Sequence, residues 1–258
     1  MIARTPEEIA VLREGGRRLA RHLQALAGMI RPGITARQLE MEARRMVEED
    51  GDEPAFLNYK YASDKNPMPS ALSVSINSAI VHNPAGQSDD VIHDGDIVSL
   101  DFGIIHGGFF TDHAITRIAG EARDPEDEKL VHAAYEALDA GIAQAKVGNT
   151  TGDIGHAVER IAKKYNLGFP RNLSGHGVGR TVHEEPHVPN YGIPGEGDKL
   201  VEGHVIAIEP MFARGSGDLR VDSGKDGHAY RTKDGSRTVH AEHTVLVTKS
   251  GAEILTEL

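Results

Sequence analysis

Two hydrophobic periods alternate along the chain, and the alternation happens twice. Apolar residues first recur at helical spacing, with Ile9, Leu12, Leu19, Leu23, Leu26 and Ile30 forming one stripe. Thr5 reads as the N-cap of this helix, with Pro6 at its first position and Glu8 at its third, and Arg31-Pro32-Gly33 stops it. Thr35-x-x-Gln38 opens a second helix that runs to about Gly51. The period then falls to two. Leu72, Val74 and Ile76 alternate with Ser73, Ser75 and Asn77, and strands are predicted over 97–102 and 109–118.

The scheme then starts again. Asp124-Pro125-Glu126-Asp127 is a capped helix start followed by Leu130, Ala134, Leu138 and Ile142. Lys146-Val147-Gly148-Asn149-Thr150 echoes Arg31-Pro32-Gly33-Ile34-Thr35, and Thr150-x-x-Asp153 opens a fourth helix carrying Ile154, Val158 and Ile161. Strands return over 205–209 and 239–247. The expected fold class is α+β, with duplicated helix–helix–strand halves related by pseudo-twofold symmetry. With no linker in view, one domain over 1–258 is expected, its halves being about 1–120 and 121–258. The stretch 58–70 reads as a loop.

Composition narrows the chemistry. A length of 258 residues with 39% hydrophobic content is enough for a real core. A net charge of −11 with no block of Lys or Arg argues against nucleic acid as a partner. There are no cysteines, so any metal must be held by His, Asp and Glu. The charged start MIARTPEEIAVLREGG is not that of a signal peptide, and no apolar run approaches the ~20 residues of a membrane span. A soluble cytoplasmic protein is the expectation.

Four acids interrupt apolar strands. In VSLDFGIIHGGFFTDHAIT these are Asp101 and Asp112. A two-residue turn at His106-Gly107 would set the two directly opposite each other, with Cβ atoms ~5 Å apart and like charges repelling. A longer turn would change the register and leave them solvated. In the second half, Glu209 ends the run IAIEPMF and Glu242 heads HAEHTVLV. Buried acids are rarely left unpaired, and SGHGVGRTVHEEPHVPNYG supplies histidines, His176 among alternating glycines. The string His183-Glu184-Glu185-Pro186-His187 matches H-E-x-x-H, but that zinc motif needs a helix and Pro186 would break it. One histidine with four carboxylates suits Mn²⁺, Fe²⁺ or Co²⁺. Four acids exceed the charge of one divalent ion, which points to two metals sharing carboxylates and activating water for hydrolysis.

These segments resemble the type I methionine aminopeptidases of the pita-bread metallopeptidase fold. The resemblance spans nearly the whole chain and rests on SVSINSAIVHN, DGDIVSLDFG, the D-x-A-x-T at Asp112, LSGHGVGRTVHEEPHVPNYG, VIAIEPMF and RTKDGSRTVHAEHT. It implies metal ligands at Asp101, Asp112, His176, Glu209 and Glu242, with Asp112 and Glu242 bridging and Asp101 bidentate. It implies Glu209 as the base toward a water shared by the metals. It also implies that His82 contacts the substrate amine or scissile nitrogen, and that His183 polarises the scissile carbonyl. His113, His187, His228, His240 and His243 read as structural or supporting, and His240 is expected to share a strand face with Glu242.

The implied activity is removal of initiator Met from nascent chains or peptides with a small second residue, by a cytoplasmic monomer in transient contact with the ribosome. Two divalent metals are implied: Co, Mn or Fe, with Zn as a further option. The alternatives are an Xaa-Pro peptidase of the same fold and a non-catalytic binding member. The chain departs from the pattern in having Asn83-Pro84 after His82, and no Trp or Cys to wall the first-residue pocket. His228, with Tyr59, Tyr61 or Met68, is expected to wall it instead.

Overall fold

Each helix begins where the sequence places its cap. In the computed structural model, which describes residues 1–60, 66–87, 89–221 and 228–258, α1 (Pro6–Met29) follows Thr5. The Thr5 hydroxyl accepts from the Glu8 N–H and the Glu8 carboxylate accepts from the Thr5 N–H. Thr35 and Gln38 repeat this box ahead of α2 (Ala36–Glu49). Asp124 accepts from the Glu126 N–H at the head of α3 (Pro125–Ile142). Thr150 donates its N–H and its hydroxyl to Asp153 before α4 (Thr151–Lys164).

The echo between the inter-helix turns is a repeated substructure. Gly33 and Gly148 take φ of +91° and +95°, a region open to glycine. Their N–H groups donate to the carbonyls of Ile92 and Leu200, and the caps Thr35 and Thr150 bridge to Val91 and Lys199.

The strands are β1 (Glu53–Pro54), β2 (Leu72–Ile76), β3 (Ala79–Val81), β4 (Ile97–His106), β5 (Phe109–Ile118), β6 (Ser174–Gly177) and β7 (Glu184–Pro189). They continue with β8 (Val205–Ile208), β9 (Met211–Ala213), β10 (Leu219–Val221), β11 (Tyr230–Thr232), β12 (Thr238–His240), β13 (Glu242–Thr248) and β14 (Gly251–Ile254). The main antiparallel sheet runs β1-β4-β5-β13-β8-β6-β7, with β2 added on β4 and β14 on β13. Smaller sheets are β10-β11-β3 and β12-β9. In the main sheet the halves join where β5 meets β13.

Helices cover one face of this sheet. Leu19, Leu23, Leu26 and Leu39 pack with Leu100 and Phe102 in the first half. Leu130, Leu138, Ile154 and Val158 pack with Ile206, Ile208 and Val245 in the second. Each such side chain gains ~1.5–3 kcal/mol on full burial. Because strand side chains alternate, Asp101, between Leu100 and Phe102, must face the other way.

Two strand expectations need correction. The β4–β5 turn is Gly107-Gly108, not His106-Gly107, because the two glycines supply the two positive φ angles (+55° and +82°) that a tight hairpin demands. Asp101 therefore pairs with Ala114 and Asp112 with Gly103, so the two aspartates are diagonal rather than opposite. Moving the turn by one residue shifts the pairing by two, which keeps both on the same face. The single strand expected over 239–247 is divided at Ala241, where β12 leaves the main sheet to pair with β9. The H-E-x-x-H stretch forms β7 and not a helix, in keeping with Pro186.

Candidate metal centre

The register of the main sheet assembles the candidate residues on its helix-free face. Ala114 on β5 pairs with Asp101 on β4 at one side and with Glu242 on β13 at the other. Asp112 lies two residues along β5, on the same face. His243 pairs with Ile208, which brings Glu242 level with Glu209, the residue after β8. His176 on β6 pairs with Ala207, two residues from Glu209 and again on that face.

All five side chains line one cavity of about 330 Å³. His176 Nε2 lies 3.5 Å from Glu209 Oε1 and 3.9 Å from Asp112 Oδ2. Its Nδ1 faces the Gly177 carbonyl at 3.0 Å, which fixes the ring hydrogen there and leaves a lone pair on Nε2 toward the acids. One oxygen of Glu242, buried, has no hydrogen-bond partner among the described residues. Ligand atoms of Asp112, His176 and Glu242 lie within 4.8 Å of one another, and so do those of Glu209, His240 and Glu242. Two adjacent sets that share Glu242 could thus hold metal.

The electrostatics say the same. Burial pushes the Asp101 carboxyl up to about 7, with the Glu209 charge adding and His240 opposing. Burial, then the neighbouring carboxylates, raise Asp112 and Glu242 well above the ordinary range. These acids cannot all be charged at neutral pH without cations among them. Burial lowers the His176 pKa despite Glu209, so the ring is neutral as a ligand requires. The residues present fit divalent cations.

The histidines separate into groups. The His183 ring lies 4.3 Å from that of His176, centroid to centroid, and 5.1 Å from that of Tyr59, tilted against both. Burial first, then His176 and His82, hold it neutral. His82 lines the cavity just after β3, near Tyr230, with a φ of +57°. A non-glycine residue in that region is strained by ~1–3 kcal/mol, a pattern typical of functional sites. His240 lies 3.2 Å from Glu209 Oε2 and 3.8 Å from Glu242 Oε2. Burial lowers its pKa, but Glu209 and Asp101 outweigh that and the net shift is upward. His113 and His243 stack on each other behind the sheet, and His187 bonds Ser174 at the rim. Of the expected pocket residues, Tyr59, Met68 and His228 line the cavity, while Tyr61 lies outside the described residues. Sequence reasoning missed Phe56, Leu173, Met211 and Tyr230, which also line it. The only available signal was their nearness in sequence to motif residues, as with Met211 beside Glu209-Pro210.

The sequence profile of metallopeptidase family M24 matches residues 10–249. The chain belongs to that family. Among relatives of this M24 chain, a methionine aminopeptidase of Aquifex aeolicus is 44% identical over 253 residues, covering 97% of this chain and 96% of that protein. The crystal structure of a methionine aminopeptidase from Thermotoga maritima superposes with a TM-score of 0.93 at 37% identity, covering both chains fully. A prolidase from Pyrococcus furiosus shares the fold at a TM-score of 0.78 and 26% identity, but this chain covers only 66% of it. The M24 chain thus matches these aminopeptidases over nearly their full length and the prolidase over two thirds of its length. Among the described residues no helix is long and apolar enough to cross a membrane.

Proposed function

We propose that the protein is a methionine aminopeptidase that removes the initiator Met from nascent chains or peptides whose second residue is small. The observation that carries this reading is the convergence of Asp101, Asp112, His176, Glu209 and Glu242 from both halves onto one face of the sheet, in a chain 44% identical to a methionine aminopeptidase. In this reading these five residues would hold two divalent ions, with Asp112 and Glu242 as the carboxylates that would be shared between them. The all-oxygen-plus-one-His set favours Mn²⁺, Fe²⁺ or Co²⁺ over Zn²⁺. Such ions, when bound, supply Lewis acidity and a water acidic enough to attack a carbonyl near neutral pH.

The chain's own residues then divide the work. In this reading Glu209 takes a proton from the attacking water and passes it to the departing nitrogen, with His240 Nε2 standing 3.2 Å from its far oxygen. His183, held neutral beside His176, donates to the scissile carbonyl oxygen as it gains charge. His82 contacts the substrate amine or scissile nitrogen. Phe56, Tyr59 and Met68 offer an apolar wall for the first side chain. The cavity of about 330 Å³ is at the small end for ligand sites, which restricts the second residue. Residues 1–258 work as one catalytic unit, a cytoplasmic monomer that meets its substrates at the ribosome.

The test is hydrolysis of Met-Ala-Ser, Leu-Ala-Ser, Met-Lys-Ser and an Xaa-Pro peptide by metal-replete protein. Met-Ala-Ser should be cleaved best and Met-Lys-Ser scarcely. Leu should be cleaved detectably, because a hydrophobic pocket separates Met from Leu by only ~1–3 kcal/mol. Cleavage of the Xaa-Pro peptide with none of Met-Ala-Ser would replace this reading with the prolidase one.

A further inference from the structure

The halves of the main sheet meet across β5 and β13 at two paired positions, Ala114 with Glu242 and His113 with His243. Carried further in each direction, that register sets Asp112 opposite Thr244 and Thr116 opposite His240. The backbone ladder has ended at both places. At Thr244 the β13 backbone has turned to the C-terminal segment. Its N–H donates to Thr256 Oγ1 at 3.1 Å and its carbonyl accepts from the Leu255 N–H at 2.9 Å. At His240 the chain has left for β9. The backbone groups of Asp112 and His240, both buried residues, therefore need partners from outside the ladder, because leaving them bare is costly.

Each finds one threonine hydroxyl. Thr244 Oγ1 accepts from the Asp112 N–H at 2.9 Å and donates to the Asp112 carbonyl at 2.7 Å. Thr116 Oγ1 accepts from the His240 N–H at 3.2 Å and donates to the His240 carbonyl at 2.6 Å. A hydroxyl can donate and accept at once, so it can stand in for the opposing backbone of a ladder. The branched Thr side chain has few rotamers, which makes the stand-in stiff. Both clamps bear on the metal centre. Asp112 Oδ1 accepts from the His113 N–H at 2.9 Å, which ties the carboxylate to its own backbone, while Oδ2 lies 3.9 Å from His176 Nε2. Fixing the Asp112 backbone thus fixes where its carboxylate points. His240 in turn stands 3.2 Å from Glu209 Oε2.

We propose that Thr244 is a positioning residue for the metal centre, with Thr116 as its counterpart across the seam. The two hydroxyls replace ladder partners where the halves part, and hold Asp112 and His240 in place. Neither residue lines the cavity, so each acts through the residue opposite it. This rests on the metal reading of the site and not on the choice of substrate.

The experiment measures the Kd for Mn²⁺ by titration calorimetry, and urea midpoints of the same metal-free samples, for wild type, Thr244→Val, Thr244→Ser, Thr116→Val and Leu39→Ala. Thr244→Val keeps the shape and loses the hydroxyl, and should weaken Mn²⁺ binding by about 10–100-fold, the usual loss when a ligand's support is removed. Thr244→Ser should recover most of that loss, because its hydroxyl can make both bonds. Thr116→Val should weaken binding less, since His240 is not among the five ligands. Leu39→Ala empties a fully buried position in the first-half core, and should lower the urea midpoint while leaving the Kd unchanged. That control separates positioning from a general loss of stability. The inference is overturned if folded Thr244→Val binds Mn²⁺ as wild type does, if Thr244→Ser binds no better than Thr244→Val, or if Leu39→Ala weakens binding as much. Should Thr244→Val not fold, Thr116→Val decides: an unchanged Kd overturns the inference, and a weakened one beside unchanged Leu39→Ala upholds it. Wild-type protein that binds no Mn²⁺ removes the metal reading and this inference together. Mn²⁺ binding with cleavage of the Xaa-Pro peptide alone removes the aminopeptidase reading and leaves this one standing.

Discussion

Removing metal should invert the pH dependence of stability. In the metal-free fold, burial raises the Asp101 carboxyl from 3.8 to about 7. Between those values the folded chain keeps a proton that the unfolded chain has released. The associated stability is therefore present at low pH and lost as pH rises through the window. Each tenfold change in proton affinity is worth about 1.36 kcal/mol, so Asp101 alone costs ~4 kcal/mol above pH 7. Asp112 and Glu242 are raised in the same direction, by burial first and then by neighbouring carboxylates, and add to this. Against a typical total of about 5–15 kcal/mol, the chelated protein should be close to unfolding at pH 8. Bound divalent ions reverse the sign, because they compete with protons for the same oxygens. The assay is urea unfolding from pH 5 to 8, with chelator and with Mn²⁺, alongside proton release measured on adding Mn²⁺ at pH 7. The chelated protein should lose stability as pH rises and the loaded protein should not, and loading should release about two protons, chiefly from Asp112 and Glu242. Chelated protein whose stability is flat or rising over that range, with no proton release, would refute the reasoning.

Asp112→Asn should lose metal as well as rate, whereas His183→Ala should keep metal and lose about 10²–10³ in kcat, as elemental analysis and steady-state rates will tell. The opposite pattern would exchange the two roles. Gly177→Ala should destabilise by about 1–3 kcal/mol and lower metal occupancy, since the new Cβ would stand 2.1 Å from the Glu185 carbonyl oxygen and force β6, with His176, away from β7. Melting and metal content of that variant check this, and unchanged values would mean the strand yields freely. Burial lowers the pKa of His22, with Asp50 at 2.8 Å opposing. The neutral ring's contribution is thus full above pH 6.5 and lost as pH falls below it. His22→Gln should flatten that acid loss in metal-loaded protein, read as urea midpoints at pH 5 and 7, and an unchanged slope would exclude His22 as its source.

Local rules made much of this molecule readable. Helix caps are set by residues two or three apart, so Thr5, Thr35, Asp124 and Thr150 could be placed from sequence. Strand parity is equally local, and it put Asp101 and Asp112 on one face even though the turn was misplaced. The resemblance then chose the set of five ligands, which spacing alone could only suggest. What stayed hidden depends on contacts between distant segments. The break at Ala241 arises because β9 captures β12, and nothing between 239 and 247 encodes it. His240 was expected beside Glu242 on a shared strand face. It does lie 3.8 Å from Glu242, but it sits on the neighbouring strand and is nearer to Glu209. The rest of the cavity wall, beyond Tyr59, Met68 and His228, was illegible for the same reason, since Phe56 and Leu173 come from separate loops with no pattern of their own.

The seam of the main sheet has a bearing on biosynthesis. β5 and β13 meet through two residue pairs, Glu242 with Ala114 and His243 with His113, and the candidate ligands lie on both sides of it. Asp101 and Asp112 are made early; His176, Glu209 and Glu242 come later. Neither half holds a complete set. On the proposed ligand set, a growing chain is therefore without its full metal site until residue 242 has been translated and has closed against β5. The order of the strands would then keep the hydrolase from acting before it is itself folded.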